Sequence, residues 1–277
     1  MTIKQFVELA ILEDIREGDH SALACIPNNA NGKAQLIVKE DGIIAGIQIA
    51  IQIFKEFDSS FDVRPILKDG DKVKTGDIAF LVIGPSISLL SAERLVLNVM
   101  QRMSAIATLT NKYVKALDGL KTKVLDTRKT TPLIRFLEKE AVRIGGGVNH
   151  RYGLYDMIML KDNHNDFAGG IEKSINKTLQ YLKDNNLNLK IEVETRNIEE
   201  VKEVLKVGNI DRIMLDNFNY ADMQKAVKLI NNQYETEASG GINLETVRKY
   251  AECGVDFVSV GALTHSVKNM DLSLKAL

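Results

Sequence analysis

The chain has 277 residues, with 36 Lys and Arg against 37 Asp and Glu, a formal net charge of −1. That balance argues against a protein that coats nucleic acid or an anionic membrane, since such proteins usually carry excess basic charge. With 45% hydrophobic and 26% charged residues, the composition is that of a globular protein with a full core rather than a disordered, collagenous or coiled-coil chain.

The first stretch, MTIKQFVELAILEDIREGDH, acquires acids at once and does not read as a signal peptide. No window approaches the roughly 18 uncharged apolar residues of a membrane span. Cys25 and Cys253 stand far apart without metal-type spacing, which predicts a reduced, cytoplasmic chain and two small buried side chains. Phe6, Leu9, Ala10 and Leu12 predict a short amphipathic helix that stops before the EGDHS turn. AQLIVKEDGIIAG reads as two strands around an Asp-Gly turn, GIQIAIQIFKEF has helical spacing, and KDGDKVKTGDIAFLVIG returns to strands. DGDKVKTGD is similar to the turns of biotinyl or lipoyl carriers but lacks their hairpin lysine, so it is scaffold. Ser91 is the expected N-cap of a long helix through SAERLVLNVMQRMSAIATLTNKYVKAL. Its second face, with Asn98, Gln101, Arg102, Ser104 and Thr108, is polar enough to predict a place between domains or subunits.

Beyond it one unit recurs: a short apolar run, a polar or glycine residue at its end, then a helical segment. The runs are KVLDTRK, MIMLKDNH, LKIEVET, RIMLDNF, YETEASGG and FVSVGALTH. The later end residues, Glu194, Asp216, Ser239 and Gly261, are spaced by 22, 23 and 22. Such steps fit one strand, one helix and two short loops, and a series of them makes a parallel sheet that favours a barrel. The predicted fold is therefore α/β, with a mixed α/β layer (residues 1–108) followed by a βα barrel (109–277). Active groups of barrels lie at the carboxyl ends of the strands.

The charged residues fall there. Arg128 and Lys129 follow KVLDT, His150 and Arg151 lie in GGGVNHRYGL, and Lys161 ends MIMLK. Like charges about 4 Å apart repel by roughly 4 kcal/mol at an effective dielectric of 20, so converging cations imply an anion between them, and arginine suits carboxylates by its planar fork. In IEVET, Glu192 and Glu194 share a face, and Glu194 is nearer the carboxyl end. With Asp216 it forms a pair of carboxylates able to hold Mg²⁺, which takes one or two protein carboxylates and otherwise water and phosphate. The alternative is an ion pair with Lys161. Ser239, Gly240 and Gly241, with Gly261 one unit later, sit where barrels bind phosphate, and glycine followed by a helix N-terminus lets backbone N–H groups approach an oxyanion. Met157 and Met159 are expected in the core, and His164 either orients Lys161 or faces solvent.

These strings, together with EDIREGDHS, NVMQRMSAIAT, DTRKTTP, GGGVNHRYGLYDMIMLKDNH and DLSLK, resemble the quinolinate phosphoribosyltransferase family, in family order from residue 13 to 275. Leu133 and Ile134 depart from the Gly-Leu that the family usually has after DTRKTTP. The resemblance implies an N-terminal α/β sandwich, an incomplete α/β barrel, a C-terminal segment that can return to the first domain, a homodimer or hexamer, and Mg²⁺ as cofactor. It implies quinolinate and phosphoribosyl pyrophosphate as substrates, and nicotinate mononucleotide, pyrophosphate and CO₂ as products. Arg128, His150, Arg151 and Lys161 would meet quinolinate, and Arg102 would reach the neighbouring subunit's site. Lys129, Glu194, Asp216, Ser239, Gly240, Gly241, Gly261 and His265 would surround the phosphoribosyl and pyrophosphate groups, with Lys161, Glu194 and Asp216 as the catalytic set. The rival readings are a related phosphoribosyltransferase acting on nicotinate or another anionic ring, a Schiff-base aldolase using Lys161, and a nucleotide-binding regulator.

Overall fold

The computed structural model describes residues 1–277. Its elements begin with α1 (Ile3–Asp14), α2 (His20–Cys25), β1 (Asn31–Val38), β2 (Gly42–Ile43), α3 (Ile47–Phe57), β3 (Asp62–Pro65), β4 (Lys72–Val73), β5 (Ile78–Pro85) and α4 (Ser86–Ala116). They continue with β6 (Lys123–Leu125), α5 (Arg135–Ile144), β7 (Ile158–Leu160), α6 (Asp162–Ala168), α7 (Ile171–Asp184), β8 (Ile191–Thr195) and α8 (Ile198–Val207). Last come β9 (Arg212–Asp216), α9 (Tyr220–Ile230), β10 (Glu235–Ser239), α10 (Val247–Glu252), β11 (Phe257–Ser259), α11 (Ala262–His265) and β12 (Leu272–Ala276). None of the helices is long and apolar enough to cross a membrane.

The first unit comprises Met1–Asn111, Thr130–Gly146 and Leu263–Leu277. Its antiparallel sheet has the order β12-β1-β5-β3. In β1, Ala34, Leu36 and Val38 are buried while the residues between them are not, the period-two pattern of a sheet covered on one face. Phe54 of α3 packs against Phe61 and Phe80, with ring centroids 5.1 and 6.0 Å apart. The chain around the Asp-Gly turn does not form a hairpin: β2 pairs with β4, and both flanks of β1 are taken by β12 and β5. Of the expected stripe of α1, Phe6 and Ala10 are half-buried while Leu9 and Leu12 are exposed, and the fully buried residue is Val7.

Helix α4 starts at Ser86 rather than Ser91. Ser91 lies inside it and donates its hydroxyl to the Ile87 carbonyl (3.0 Å) and to Asp19 (3.2 Å). The helix runs from the first compact unit into the second, the boundary falling between Asn111 and Lys112, and part of its polar face serves the backbone of the first unit. Buried Ser104 accepts the Ala45 N–H (2.9 Å) and donates to the Ala45 carbonyl (3.1 Å), Thr108 Oγ1 accepts the Ile43 N–H (2.8 Å), and Gln101 donates to the Leu272 carbonyl (3.0 Å). These bonds meet the obligatory needs of a short irregular segment that β2 leaves unpaired.

The unit's borders differ from a cut at residue 108. Thr130–Gly146 groups with the first unit because Phe136 of α5 packs edge-on against Phe6 and the Gly145 backbone comes so close to the Ala107 carbonyl that a β-carbon there would stand 2.5 Å from it. The C-terminal segment returns through β12, which pairs with β1 in register from Ala34–Ala276 to Val38–Leu272.

The second unit comprises Lys112–Lys129 and Gly147–Ala262. Its six strands are those read from the repeat, all parallel, in the order β6-β11-β10-β9-β8-β7: an open, incomplete barrel. Buried side chains run without a break through IEVET and RIML, as expected of strands covered on both faces. A further bridge, Leu125 with Val148, lays the glycine-rich loop alongside β6.

Candidate active site

Residue alternation and strand register together put Glu192 and Glu194 of β8, Arg212 and Asp216 of β9, Glu237 and Ser239 of β10, and Ser259 of β11 on one face of the parallel sheet. Gly261 follows two residues beyond Ser259. The strand-end members are the residues singled out by the repeat, whereas the members two positions earlier form a buried row beneath them.

Lys161 ends β7 and caps α6. Its Nζ lies 3.2 Å from Glu194 Oε2, in an ion pair where Glu194 is nearly buried and the lysine side chain is half exposed. Its backbone N–H donates to His164 Nδ1 (3.0 Å), so His164 helps fix the lysine's origin. Asp216 accepts from the Asn217 side chain (2.6 Å), and Asn217 adopts a left-handed φ of +57°.

After β10 the chain passes through Gly240 (φ +100°) and Gly241 (φ +58°). A side chain at Gly240 would collide with the Asn217 amide, whereas nothing lies within 4 Å of a β-carbon built at Gly241. Consecutive left-handed residues turn neighbouring N–H groups toward a common concavity that favours anions. Contrary to the expectation of a helix directly after this turn, α10 begins only at Val247 and has six residues. Likewise α11 has four residues. The cradle is therefore one of glycine backbone, with little contribution from a helix dipole.

The loop from Gly147 to Arg151 is tied to β6. The Val148 N–H donates to the Val124 carbonyl (2.8 Å), and the His150 N–H donates to the buried Asp126 carboxylate (2.8 Å). Arg128 and Arg151 converge. Burial and then the Arg128 guanidinium lower the Arg151 pKa below its ordinary value, and the carboxylates of Glu192 and Asp156 offset only part of this. Arg151 also donates to the Met157 carbonyl (3.2 Å). Lys129 is exposed on the strand-end loop, its N–H bonded to Thr127 Oγ1 (3.0 Å).

His150 is buried, with Nε2 2.9 Å from Glu192 and 3.3 Å from Glu237. Burial by itself lowers the imidazole pKa, but polar contact with the two carboxylates and their charge outweigh it and raise it to about 9. The Arg151 N–H directed at Nδ1 (2.6 Å) requires a lone pair there, hence the neutral ring with its hydrogen on Nε2, and so opposes the charged form that the carboxylates favour. Nε2 lies close to both acids without meeting hydrogen-bond geometry to either. Glu192 is raised to about 7, first by burial and then by the Glu237 charge. Arg212 completes the group, with Nη1 3.0 Å from Glu237, Nη2 2.9 Å from Glu235 and its guanidinium 4.2 Å above the Phe257 ring. Glu237, Arg212 and Ser259 were not among the residues picked from sequence. The signal was the same alternation that placed Glu192 beside Glu194, read back two positions from Ser239 and Gly261 and four from Asp216.

In the first unit, Arg102 is bonded through Nε (3.0 Å) and Nη2 (2.7 Å) to Glu138, which is fully buried, and to the Thr264 carbonyl. His265 is exposed, with Nδ1 2.5 Å from Ser266 Oγ. Leu133 is exposed and holds a left-handed φ of +67°. Cys25 is exposed rather than buried because it sits at the end of the six-residue α2, where its thiol reaches the Ser21 carbonyl, whereas Cys253 is buried; both are free. Met157 and Met159 are buried.

A bound metal is a matter of donor chemistry. Glu194 and Asp216 offer only oxygen, from adjacent strands whose register pairs Thr195 with Leu215, and each carboxylate has two oxygens of which the bonds above engage one. Hard oxygen donors in this number suit Mg²⁺.

Two family models match the chain: the quinolinate phosphoribosyl transferase N-terminal domain over residues 19–104 and the C-terminal domain over 106–275. The chain is 47% identical to quinolinate phosphoribosyltransferase (decarboxylating) 1b of Nicotiana tabacum, over 99% of this chain and 82% of that one. It is 42% identical to a probable nicotinate-nucleotide pyrophosphorylase (carboxylating) of Bacillus subtilis, over 99% and 93%. Among solved structures, NadC from Streptococcus pyogenes superposes with a TM-score of 0.93 at 38% identity, covering 99% of this chain and 97% of that one. Matches to both domain models, with identity above 40% sustained across nearly the whole length, establish that the chain belongs to the quinolinate phosphoribosyltransferase family.

Proposed function

We propose that the protein transfers the phosphoribosyl group of phosphoribosyl pyrophosphate to the ring nitrogen of quinolinate and releases pyrophosphate, CO₂ and nicotinate mononucleotide, a step of NAD biosynthesis. The observation that carries this is the match to both domain models of the family, beside two strand-end arginines, Arg128 and Arg151, near enough for the charge of one to depress the pKa of the other. Two guanidinium groups in mutual repulsion form a site for a dianion, and a pyridine dicarboxylate supplies one carboxylate for each planar fork. Lys161 and His150 lie on the neighbouring elements. Nicotinate, with one carboxylate, leaves part of that charge uncompensated.

The left-handed Gly240–Gly241 turn with Ser239 is suited to a phosphate, with Lys129, Gly261 and His265 as the further phosphoribosyl and pyrophosphate contacts. Glu194 and Asp216 would hold Mg²⁺, directly or through water, and the ion when bound would neutralise charge on the departing diphosphate. As the C1–oxygen bond to pyrophosphate breaks, the electron pair leaves with the oxygen and positive charge grows on the ribose. Carboxylate charge at Glu194 and Asp216 favours that cation, and Lys129 favours the leaving group. The ring nitrogen then bonds to C1 and becomes a pyridinium. The bond from the adjacent ring carbon to its carboxylate breaks next, CO₂ departs, and the electron pair left on that carbon, stabilised by the pyridinium, takes up a proton. Ribosyl transfer thus precedes decarboxylation, and this second step needs no further cofactor.

Lys161 works as a charged ligand. Its Nζ is engaged by Glu194 and its side chain is half exposed, whereas a Schiff-base lysine needs a desolvated pocket. Arg102, fixed by Glu138, is the residue offered to a neighbouring site in a homodimer or hexamer. Two free cysteines fit a reducing, cytoplasmic setting. The test is to supply quinolinate and phosphoribosyl pyrophosphate with Mg²⁺ and measure CO₂ and nicotinate mononucleotide, with nicotinate as the control substrate. Turnover of nicotinate with none of quinolinate would overturn the assignment.

A further inference from the structure

Beneath the strand ends lies a buried group of charges for which the reaction as described has no direct use. Glu237, fully buried, stands at its centre. One of its oxygens accepts the Ser259 hydroxyl, and the other accepts from Arg212 Nη1 (3.0 Å) and lies 3.3 Å from His150 Nε2. Glu192, also fully buried, approaches the same Nε2 to 2.9 Å. The opposite edge of that imidazole, Nδ1, receives the Arg151 N–H at 2.6 Å. The His150 N–H is itself anchored on Asp126. A continuous run of contacts thus leads from β11 through β10 and the His150 ring to the backbone of Arg151.

Several features give this arrangement a purpose beyond holding the sheet. Charges in a barrel interior cost desolvation, and apolar residues of similar volume often serve stability as well or better. The acids also meet the imidazole on the edge opposite the Arg151 N–H, so any rotation of the ring breaks a contact on each side. Arg151 follows His150 directly in a loop outside any helix or strand, so the His150 ring at its backbone N–H and the Met157 carbonyl at its guanidinium are the bonds that fix its side chain.

We propose that Glu237 and Glu192 are positioning residues for the substrate-binding arginine: they lock the His150 ring by Nε2, and the ring, through Nδ1, sets the backbone from which the Arg151 guanidinium reaches the dicarboxylate. The inference rests on the quinolinate reading above. It makes the buried acids determinants of affinity for one substrate and not the other, since the phosphate cradle at Gly240 and Gly241 lies outside this run of contacts.

The test compares KM for quinolinate with KM for phosphoribosyl pyrophosphate in the full-length protein. Glu237→Ala is expected to raise KM for quinolinate at least tenfold while KM for phosphoribosyl pyrophosphate stays within twofold. Glu237→Gln, which keeps the shape of the side chain and its contact with the ring, is expected to recover most of that loss. A merely structural role would lower the melting temperature and change both KM values together, or change neither, and would give no recovery by glutamine; that pattern overturns the proposal. Should Glu237→Ala fail to fold because Arg212 loses a partner, Ser259→Ala loosens Glu237 more gently. It is then expected to raise only KM for quinolinate, by two- to threefold, and equal changes in both constants overturn the proposal. A wild-type protein that converts no quinolinate refutes the function itself, and is told apart from a wild type that converts it while the variants keep an unchanged ratio of the two constants.

Discussion

The two ends of the parallel sheet use similar side chains in opposite ways. At the amino end charges of opposite sign are paired across neighbouring strands. Asp211 accepts the Ile191 N–H (2.7 Å), Arg212 binds Glu235, and Asp256 accepts the Thr236 N–H (2.9 Å) and hydroxyl (2.8 Å) while pairing with Lys121 (3.0 Å). Each such residue ties the start of one strand to the next. At the carboxyl end cations gather: the Arg128 charge depresses the Arg151 pKa, and half-exposed Lys161 pairs with Glu194. Paired charges lower the energy of the fold without a ligand, whereas clustered ones raise it until an anion arrives. The comparison separates residues kept for stability from residues kept for binding, on one sheet and within a strand's length.

The largest effects are expected at the carboxyl end. Arg128→Ala and Lys161→Ala should each lower kcat/KM for quinolinate at least about 100-fold, in line with roughly 3–5 kcal/mol for removing one partner of a desolvated charge pair. Neither should melt earlier than wild type by more than about 2 °C. Thermal melts beside steady-state rates check this; a variant that loses both stability and activity would erase the distinction between the ends.

The middle of the range belongs to the amino end. Burial raises the Asp256 pKa, but bonds from the Thr236 hydroxyl and N–H and from Lys121 outweigh it and hold it below the ordinary carboxylate value. A carboxyl depressed in the folded state adds stability that is present above its unfolded pKa of about 3.9 and is lost as pH falls through the lower folded value. Asp256→Asn should therefore cost about 2 kcal/mol at pH 7, the scale of charge-assisted hydrogen bonds. Its deficit should shrink as the buffer is taken below pH 4, and kcat/KM should stay within twofold. A deficit that persists undiminished in acid would mean that packing, rather than the charge, holds this corner.

Much of this division was legible in the amino-acid order. Steps of 22, 23 and 22 between Glu194, Asp216, Ser239 and Gly261 locate the strand ends because a βα unit has a nearly fixed length. The same logic failed where long-range pairing decides. An Asp-Gly turn after β1 favours a hairpin locally, yet β12, more than 200 residues away, and β5 occupy both edges of β1. Ser91 has the chemistry of a helix cap but sits one turn inside α4, its hydroxyl satisfied by Ile87 and Asp19. The polar stripe of α4 suggested a boundary, which does fall within this helix, but nothing local reveals that Ser104 and Thr108 are also needed by the backbone at Ile43 and Ala45. Glu237 and Arg212 were hidden for a related reason: a charge inside an apolar strand looks solvent-facing until the register shows its partner on the next strand.

The smallest expected effect makes the finest cut through the comparison, because it separates the two partners of one ion pair. Lys121 and Asp256 meet at 3.0 Å, but the lysine side chain is 58% exposed and the aspartate 32%. Asp256 keeps its two bonds to Thr236 when the lysine is gone, whereas removing Asp256 strips Thr236 as well as Lys121. Lys121→Ala should therefore cost well under about 1 kcal/mol, as exposed ion pairs do, and the cost should fade as ionic strength rises past the point where the Debye length drops below roughly 8 Å. Denaturant melts of both single variants and the double variant, at low and high salt, measure the coupling directly. If the lysine proved as costly as the aspartate, the amino end would be held by its surface charges rather than by bonds from Asp256 into the strand backbone.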